Sequence, residues 1–158
     1  MKNLNNKSND FISKDNIVIG LNASSKEDAI TQLAKIMEKN EIVNDAKKFR
    51  DDVLERESQT TTGIGNNIAI PHGKSSTVNV ASLMFAKTTK PLEWNSLDGS
   101  KVSIIFLMAA RERDTGKEHL KMLATVAGKL MDDDFVKEIK AENDPDKLVN
   151  IFKKIEED

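Results

Sequence analysis

The chain has 158 residues, enough for one domain with a real core, and 38% of them are hydrophobic while 32% are charged. A net charge of −2 provides no basic field for DNA or RNA. The absence of cysteine excludes disulfides, thiolate metal sites and a catalytic thiol. The longest apolar run, 104–110, falls well short of the ~18 residues of a membrane span, and the polar start shows no signal-peptide pattern. These features predict a cytoplasmic protein with no direct membrane insertion.

Residues 1–10 read as a polar tail preceding a domain over 11–158. A short strand over 16–20 leads to Ser24-Ser25-Lys26-Glu27-Asp28, where Ser24 with Glu27, or Ser25 with Asp28, offers a capping box. Ile30, Leu33, Ala34 and Met37 then fall on one helical stripe, which stops near Asn40. A second helix is predicted over 45–57, with Phe49, Val53 and Leu54 inward and Arg56 in its last turn, where a cation suits the helix dipole. Ser58 to Gly63 break that pattern as a polar loop.

Alternation of Ile68, Ile70 and His72 predicts a short strand ending at Pro71, which has no N–H to extend a ladder. Strands are predicted over 78–86 and 101–110. The second is apolar enough to be a central strand covered on both faces. Turn residues 95–99 join them. Thr115 to Glu118 offer a further capping box, before a helix with Leu120, Leu123, Ala124, Ala127, Leu130 and Met131 in its stripe. Asp132 to Asp134 can cap a helix over 135–140, and Pro145 suits the first turn of a last helix carrying Leu148, Ile151, Phe152 and Ile155. Helices before, between and after strands indicate a single-domain α/β sandwich, a mixed central sheet flanked by helices.

In a chain with no cysteine and no tyrosine, its two histidines, His72 and His119, are the best nucleophiles available. His72 falls at a strand end and His119 in the first turn of a helix, where unpaired N–H groups and the dipole favour an anion. Gly63, Gly65 and Gly73 permit close backbone approach to a phosphoryl group, and Thr61 and Thr62 offer hydroxyl donors. Arg56 offers a fork of donors matched to phosphate oxygens, or else it simply satisfies a helix end or pairs with a carboxylate. These parts fit phosphoryl transfer, where a protein chiefly positions groups and stabilises charge. There is no G-x-x-x-x-G-K-[ST] loop and no dinucleotide fingerprint, so a protein is a better donor than ATP. No metal ligand set and no cofactor is expected. Trp94 reads as structural or interfacial.

Thr62-Gly63-Ile64-Gly65, Ile68-Ala69-Ile70-Pro71-His72-Gly73-Lys74, Trp94-Asn95-Ser96-Leu97-Asp98-Gly99 and Glu118-His119-Leu120, in this order and spacing, resemble the fructose/mannitol-type EIIA family of the phosphoenolpyruvate-dependent sugar phosphotransferase system. The resemblance runs from about residue 11 onward and implies the fold of that family. It implies that His72 Nε2 is the phosphorylated nucleophile, that His119 is its neighbour, and that Arg56, in Leu54-Glu55-Arg56-Glu57, is the family's site arginine. It implies phospho-HPr as donor and, with no cysteine in these residues, a separate EIIB as acceptor, serving membrane EIIC. Fructose is the sugar expected at family level. A regulatory nitrogen-type EIIA is the other reading. Arg111 stands where many members have proline.

Overall fold

A computed structural model of the chain describes residues 12–113 and 117–157. After a 3-10 turn (Lys14–Asn16) the elements are β1 (Ile17–Leu21), α1 (Lys26–Lys39), α2 (Ala46–Gln59), β2 (Gly63–Gly65), β3 (Ile68–Ala69), β4 (His72–Ser75), β5 (Ser82–Leu92), β6 (Val102–Arg111), α3 (Lys117–Lys129), α4 (Asp133–Ala141) and α5 (Pro145–Glu157). The expected tail at 1–10 and the capping box at 115–118 lie outside the described residues or depend on side chains that do.

The sheet runs β1-β5-β6-β3-β2, and β4 adds to β6 beyond β3. β5 and β6 are antiparallel, whereas β1 with β5, and β3 and β4 with β6, are parallel. The sheet is therefore mixed, as expected. Alternation along β6 sends Ile105, Leu107 and Ala109 into the core beneath α1 and α2, and Ile104, Phe106 and Met108 into a second core with α3, α4 and α5. Period-two side-chain geometry makes an apolar run of this length the mark of a strand buried on both faces. Phe152 of α5 fills the second core, with its ring centroid 5.1 Å from Phe85 and 5.9 Å from Phe106.

The helix ends follow local chemistry. Ser25 Oγ accepts from Asp28 N at 3.0 Å, while the Asp28 carboxylate accepts from Ser24 N at 2.9 Å. The capping box is thus built by Ser25 and Asp28, rather than by Ser24 and Glu27. α1 closes on a Schellman motif: Glu41 takes φ +64, its N–H donates to Glu38 O, and Ile42 N donates to Met37 O at 2.8 Å. Asp45 and Asp132 cap α2 and α4 by accepting from Lys48 N and from Asp134 N and Phe135 N. Pro145 occupies the first helical position of α5, where its missing N–H costs nothing. Three backbone carbonyls at the end of α4, those of Ile139, Lys140 and Glu142, accept from Lys87 Nζ at 2.7–3.0 Å.

Two strand expectations need correction. The strand predicted over 78–86 is displaced, because residues 77–79 pair with the α1–α2 connection instead of the sheet. Asn44 N donates to Thr77 O, Asp45 N to Thr77 Oγ1 at 2.7 Å and Asn79 N to Ile42 O. β5 starts only at Ser82, and it runs through Pro91 with a register shift between Lys87 and Leu92. The strand expected to end at Pro71 ends at Ala69. The regular ladder lapses after Ala69, Pro71 O accepts from Met108 N at 3.0 Å, and His72 begins the next strand in register with Met108.

Candidate active site

β4 places His72 at its first residue, with Gly73 opposite Ala109 and Ser75 opposite Arg111. Arg111 therefore closes β6 as an ordinary ladder residue. The His72 ring is half-buried, and its Nδ1 lies 3.0 Å from Ile70 O. A carbonyl oxygen can only accept, so Nδ1 carries the hydrogen, and in the neutral ring the lone pair then falls on Nε2. Proline at 71 holds Ile70 in extended backbone, which fixes the direction of that carbonyl. Ile70 N in turn donates to Thr62 O at 3.0 Å, so the loop after α2 is joined to the histidine segment.

Gly73 sits under α2. A Cβ there would stand 2.6 Å from Val53 Cγ2 and 3.3 Å from Phe49 Cε1. Its glycine serves close packing of strand on helix. Gly63 is in the same position against Ser96: a Cβ would overlap Ser96 Oγ. The Gly63 N–H donates to Thr61 Oγ1, and the Thr61 hydroxyl donates to Trp94 O at 3.0 Å. Thr62 is buried, and its hydroxyl donates to Glu57 Oε1 at 2.6 Å. Thr61, Thr62, Gly63 and Gly73, expected to cradle a phosphoryl group, are thus engaged in building the loop and its seat on α2.

Arg56 lies three residues beyond Val53, in the last turn of α2, and its NH1 donates to Thr60 O at 2.9 Å. Of the sequence alternatives for this residue, satisfaction of the helix end is realised in this structure, with the guanidinium at the start of the loop that contacts Ile70. His119 falls in the first turn of α3, and its side chain lies outside the described residues.

The residue that sequence reasoning missed is Glu57. It is the one charged side chain buried among the described residues, at 6% exposure. Its carboxylate accepts from Thr62 N at 2.8 Å, from the Thr62 hydroxyl and from Trp94 Nε1 at 3.1 Å. Lys26 Nζ stands 3.7 Å from the same carboxylate and 5.7 Å from the centre of the Trp94 ring. The signal was present: Glu57 continues the Phe49, Val53 stripe at i+4, where a helix facing a core normally carries an apolar side chain. Trp94, fully buried, also needed an acceptor for its indole N–H.

The adjoining hairpin turns through Asn66 and Asn67, both with positive φ, the two-residue geometry that matches strand twist. Asp98 anchors it. Backbone N–H groups of Ser100 and Asn66 donate to its carboxylate at 2.9 and 3.0 Å, and hold its pKa down at about 2. Among the described residues no group of His, Asp and Glu is arranged to hold a metal ion, and no helix is long and apolar enough to cross a membrane.

Residues 10–155 match the family model described as phosphoenolpyruvate-dependent sugar phosphotransferase system, EIIA 2. The chain belongs to this EIIA type 2 family. Among EIIA-bearing relatives, a fructose-specific EIIABC component from Bacillus subtilis is 29% identical over 92% of this chain, which spans only 23% of that longer protein. A nitrogen regulatory protein from Bradyrhizobium diazoefficiens is 32% identical over 90% of this chain and 92% of its own length. Enzyme IIA for mannitol from Escherichia coli, solved in complex with phosphorylated enzyme IIB, superimposes with a TM-score of 0.75 at 21% identity, over 89% of this chain and 96% of that one. The EIIA fold is therefore shared. EIIA components are phosphotransfer proteins.

Proposed function

We propose that the chain is the phosphocarrier IIA component of a fructose-type sugar phosphotransferase system in the cytoplasm. His72 Nε2 attacks the phosphoryl group carried on a histidine of HPr. A new N–P bond forms as the donor N–P bond breaks, and the displaced electron pair returns to the donor imidazole. A cysteine thiolate of EIIB then attacks the phosphorus, releasing neutral His72, and EIIB hands the group on to sugar held by EIIC. Arg56 and His119 balance negative charge on the transferring oxygens. Thr61, Thr62, Gly63 and Gly73 form the frame that holds the reacting ring.

The observation that carries this reading is the Nδ1–H bond of His72 to Ile70 O, which directs the lone pair of the neutral ring to Nε2. The mannitol EIIA solved with its phosphorylated EIIB lends support to an EIIB partner. The test is intact-mass spectrometry after incubation with phosphoenolpyruvate, Enzyme I and HPr. Wild type should gain one acid-labile phosphoryl group and His72→Ala none. Stoichiometric uptake by His72→Ala would overturn the assignment.

The nitrogen regulatory relative, matched over nearly its whole length, favours a second reading, in which the phosphorylation state governs partner binding and no sugar is delivered. Transfer from the phosphorylated chain to a fructose-type EIIB separates the two. Loss of the phosphoryl group to EIIB supports transport, and retention supports regulation.

A further inference from the structure

We infer that Glu57 is a positioning residue that sets the tautomer of His72 through the backbone. The inference rests on the reading of His72 as the phosphoryl acceptor. Three hydrogen bonds join the two side chains. Thr62 N donates to Glu57 Oε2 at 2.8 Å, Ile70 N donates to Thr62 O at 3.0 Å, and His72 Nδ1 donates to Ile70 O at 3.0 Å. Each link orients the next: the carboxylate fixes Thr62, Thr62 fixes Ile70, and the Ile70 carbonyl selects the protonated ring nitrogen.

The cost of burying a charge at this position shows why it matters. A carboxylate at 6% exposure is unfavourable unless donors surround it, and an apolar residue at this point of the α2 stripe would carry no such cost. An apolar residue would, however, leave Thr62 N–H and Trp94 Nε1–H without their acceptor. With Glu57, Thr62 of the loop is tied through one carboxylate to Trp94 and Lys26. An unconstrained neutral imidazole prefers the Nε2–H form, which has no lone pair at Nε2. Holding the opposite tautomer therefore requires a carbonyl that stays in place, and Ile70 is anchored from one side by Pro71 and from the other by Thr62.

The experiment uses the full chain labelled with 15N-histidine, read in the unphosphorylated state by long-range 1H–15N correlation. Wild type should show His72 with a protonated Nδ1 and a pyridine-like Nε2. Glu57→Gln keeps the size but sets an amide against donors, and should move the His72 ring toward the Nε2–H form, with phosphoryl uptake slowed roughly 10-fold or more. Lys26→Met removes the ion pair from the same carboxylate but none of its hydrogen bonds, and should leave the ring signature unchanged. Should Glu57→Gln fail to fold, Glu57→Asp, which keeps the charge but withdraws it from Thr62, takes its place with the same expected shift. A folded Glu57 variant with the wild-type ring signature overturns the inference, as does a Lys26→Met shift as large as that of Glu57→Gln. Because the ring signature is read without any phosphoryl donor, a chain that takes up no phosphoryl group would defeat the proposed function while the positioning chain was still decided.

Discussion

Gly73 and Val53 are in direct contact: a methyl group on the glycine would lie 2.6 Å from Val53 Cγ2. The contact joins β4 to α2 one residue after His72, so the spacing of strand and helix is set beside the His72 ring. Gly73→Ala should destabilise the fold by about 1–3 kcal/mol, the range for overpacking. Val53→Ala on the same chain should recover part of that loss, giving a non-additive double-mutant cycle in urea denaturation. Additive losses would mean that the clash is relieved elsewhere.

Arg56 stands in the last turn of α2, just before the loop that bonds to Ile70. Its bond to Thr60 O is exposed, so Arg56→Ala should change stability by no more than about 0.5 kcal/mol. If the guanidinium balances phosphoryl charge, the same variant should slow phosphoryl uptake by on the order of 100-fold. Single-turnover kinetics beside a thermal melt check both. A large stability loss with an unchanged rate would reduce Arg56 to a helix cap.

Asp98 predicts an acid limit for the hairpin beside the site. Its folded pKa of about 2 lies below the ordinary 3.8, so the ionised group favours the folded state. Its contribution is complete above pH 3.8 and fades as pH falls through about 2. Asp98→Asn should therefore lower the melting temperature by a constant amount between pH 5 and 7, and the gap from wild type should close toward pH 2. A gap unchanged in acid would contradict the bonding of Asp98 to Ser100 and Asn66.

Lys87 reaches from the sheet to three carbonyls at the end of α4. Lys87→Met keeps most of the stem and deletes the donors, and should cost about 1–2 kcal/mol in denaturant stability. Amide exchange should speed up in the last turn of α4 before it does in β6. Uniform exchange changes would place the loss elsewhere.

Much of this fold could be read along the chain because its causes are local. The stripe of Ile30, Leu33, Ala34 and Met37, the Pro145 start of α5 and the unbroken apolar run of β6 each follow from short-range pattern. What could not be read depends on residues distant in sequence. β5 begins late because Thr77 bonds to Asn44 and Asp45. His72 opens a strand instead of following one because β4 finds its own pairing on β6. The roles of Thr61, Thr62, Gly63 and Gly73 are set by Trp94, Glu57, Ser96 and Val53, none adjacent in sequence to its partner. Motif order directed attention to His72, whereas the buried carboxylate of Glu57 became visible only through its contacts.

The hydrogen bond from Trp94 to Glu57 equips the molecule with an optical probe of its own. This is the chain's sole indole, it is buried, and a lysine ammonium stands near its ring. Emission from such a group responds to charge and polarity within a few ångströms. Any docking partner or covalent modification that shifts the turn after α2 would alter its wavelength or intensity. Encounters at this end of the protein can therefore be timed in a stopped-flow instrument with the unlabelled chain, provided the partner is free of tryptophan.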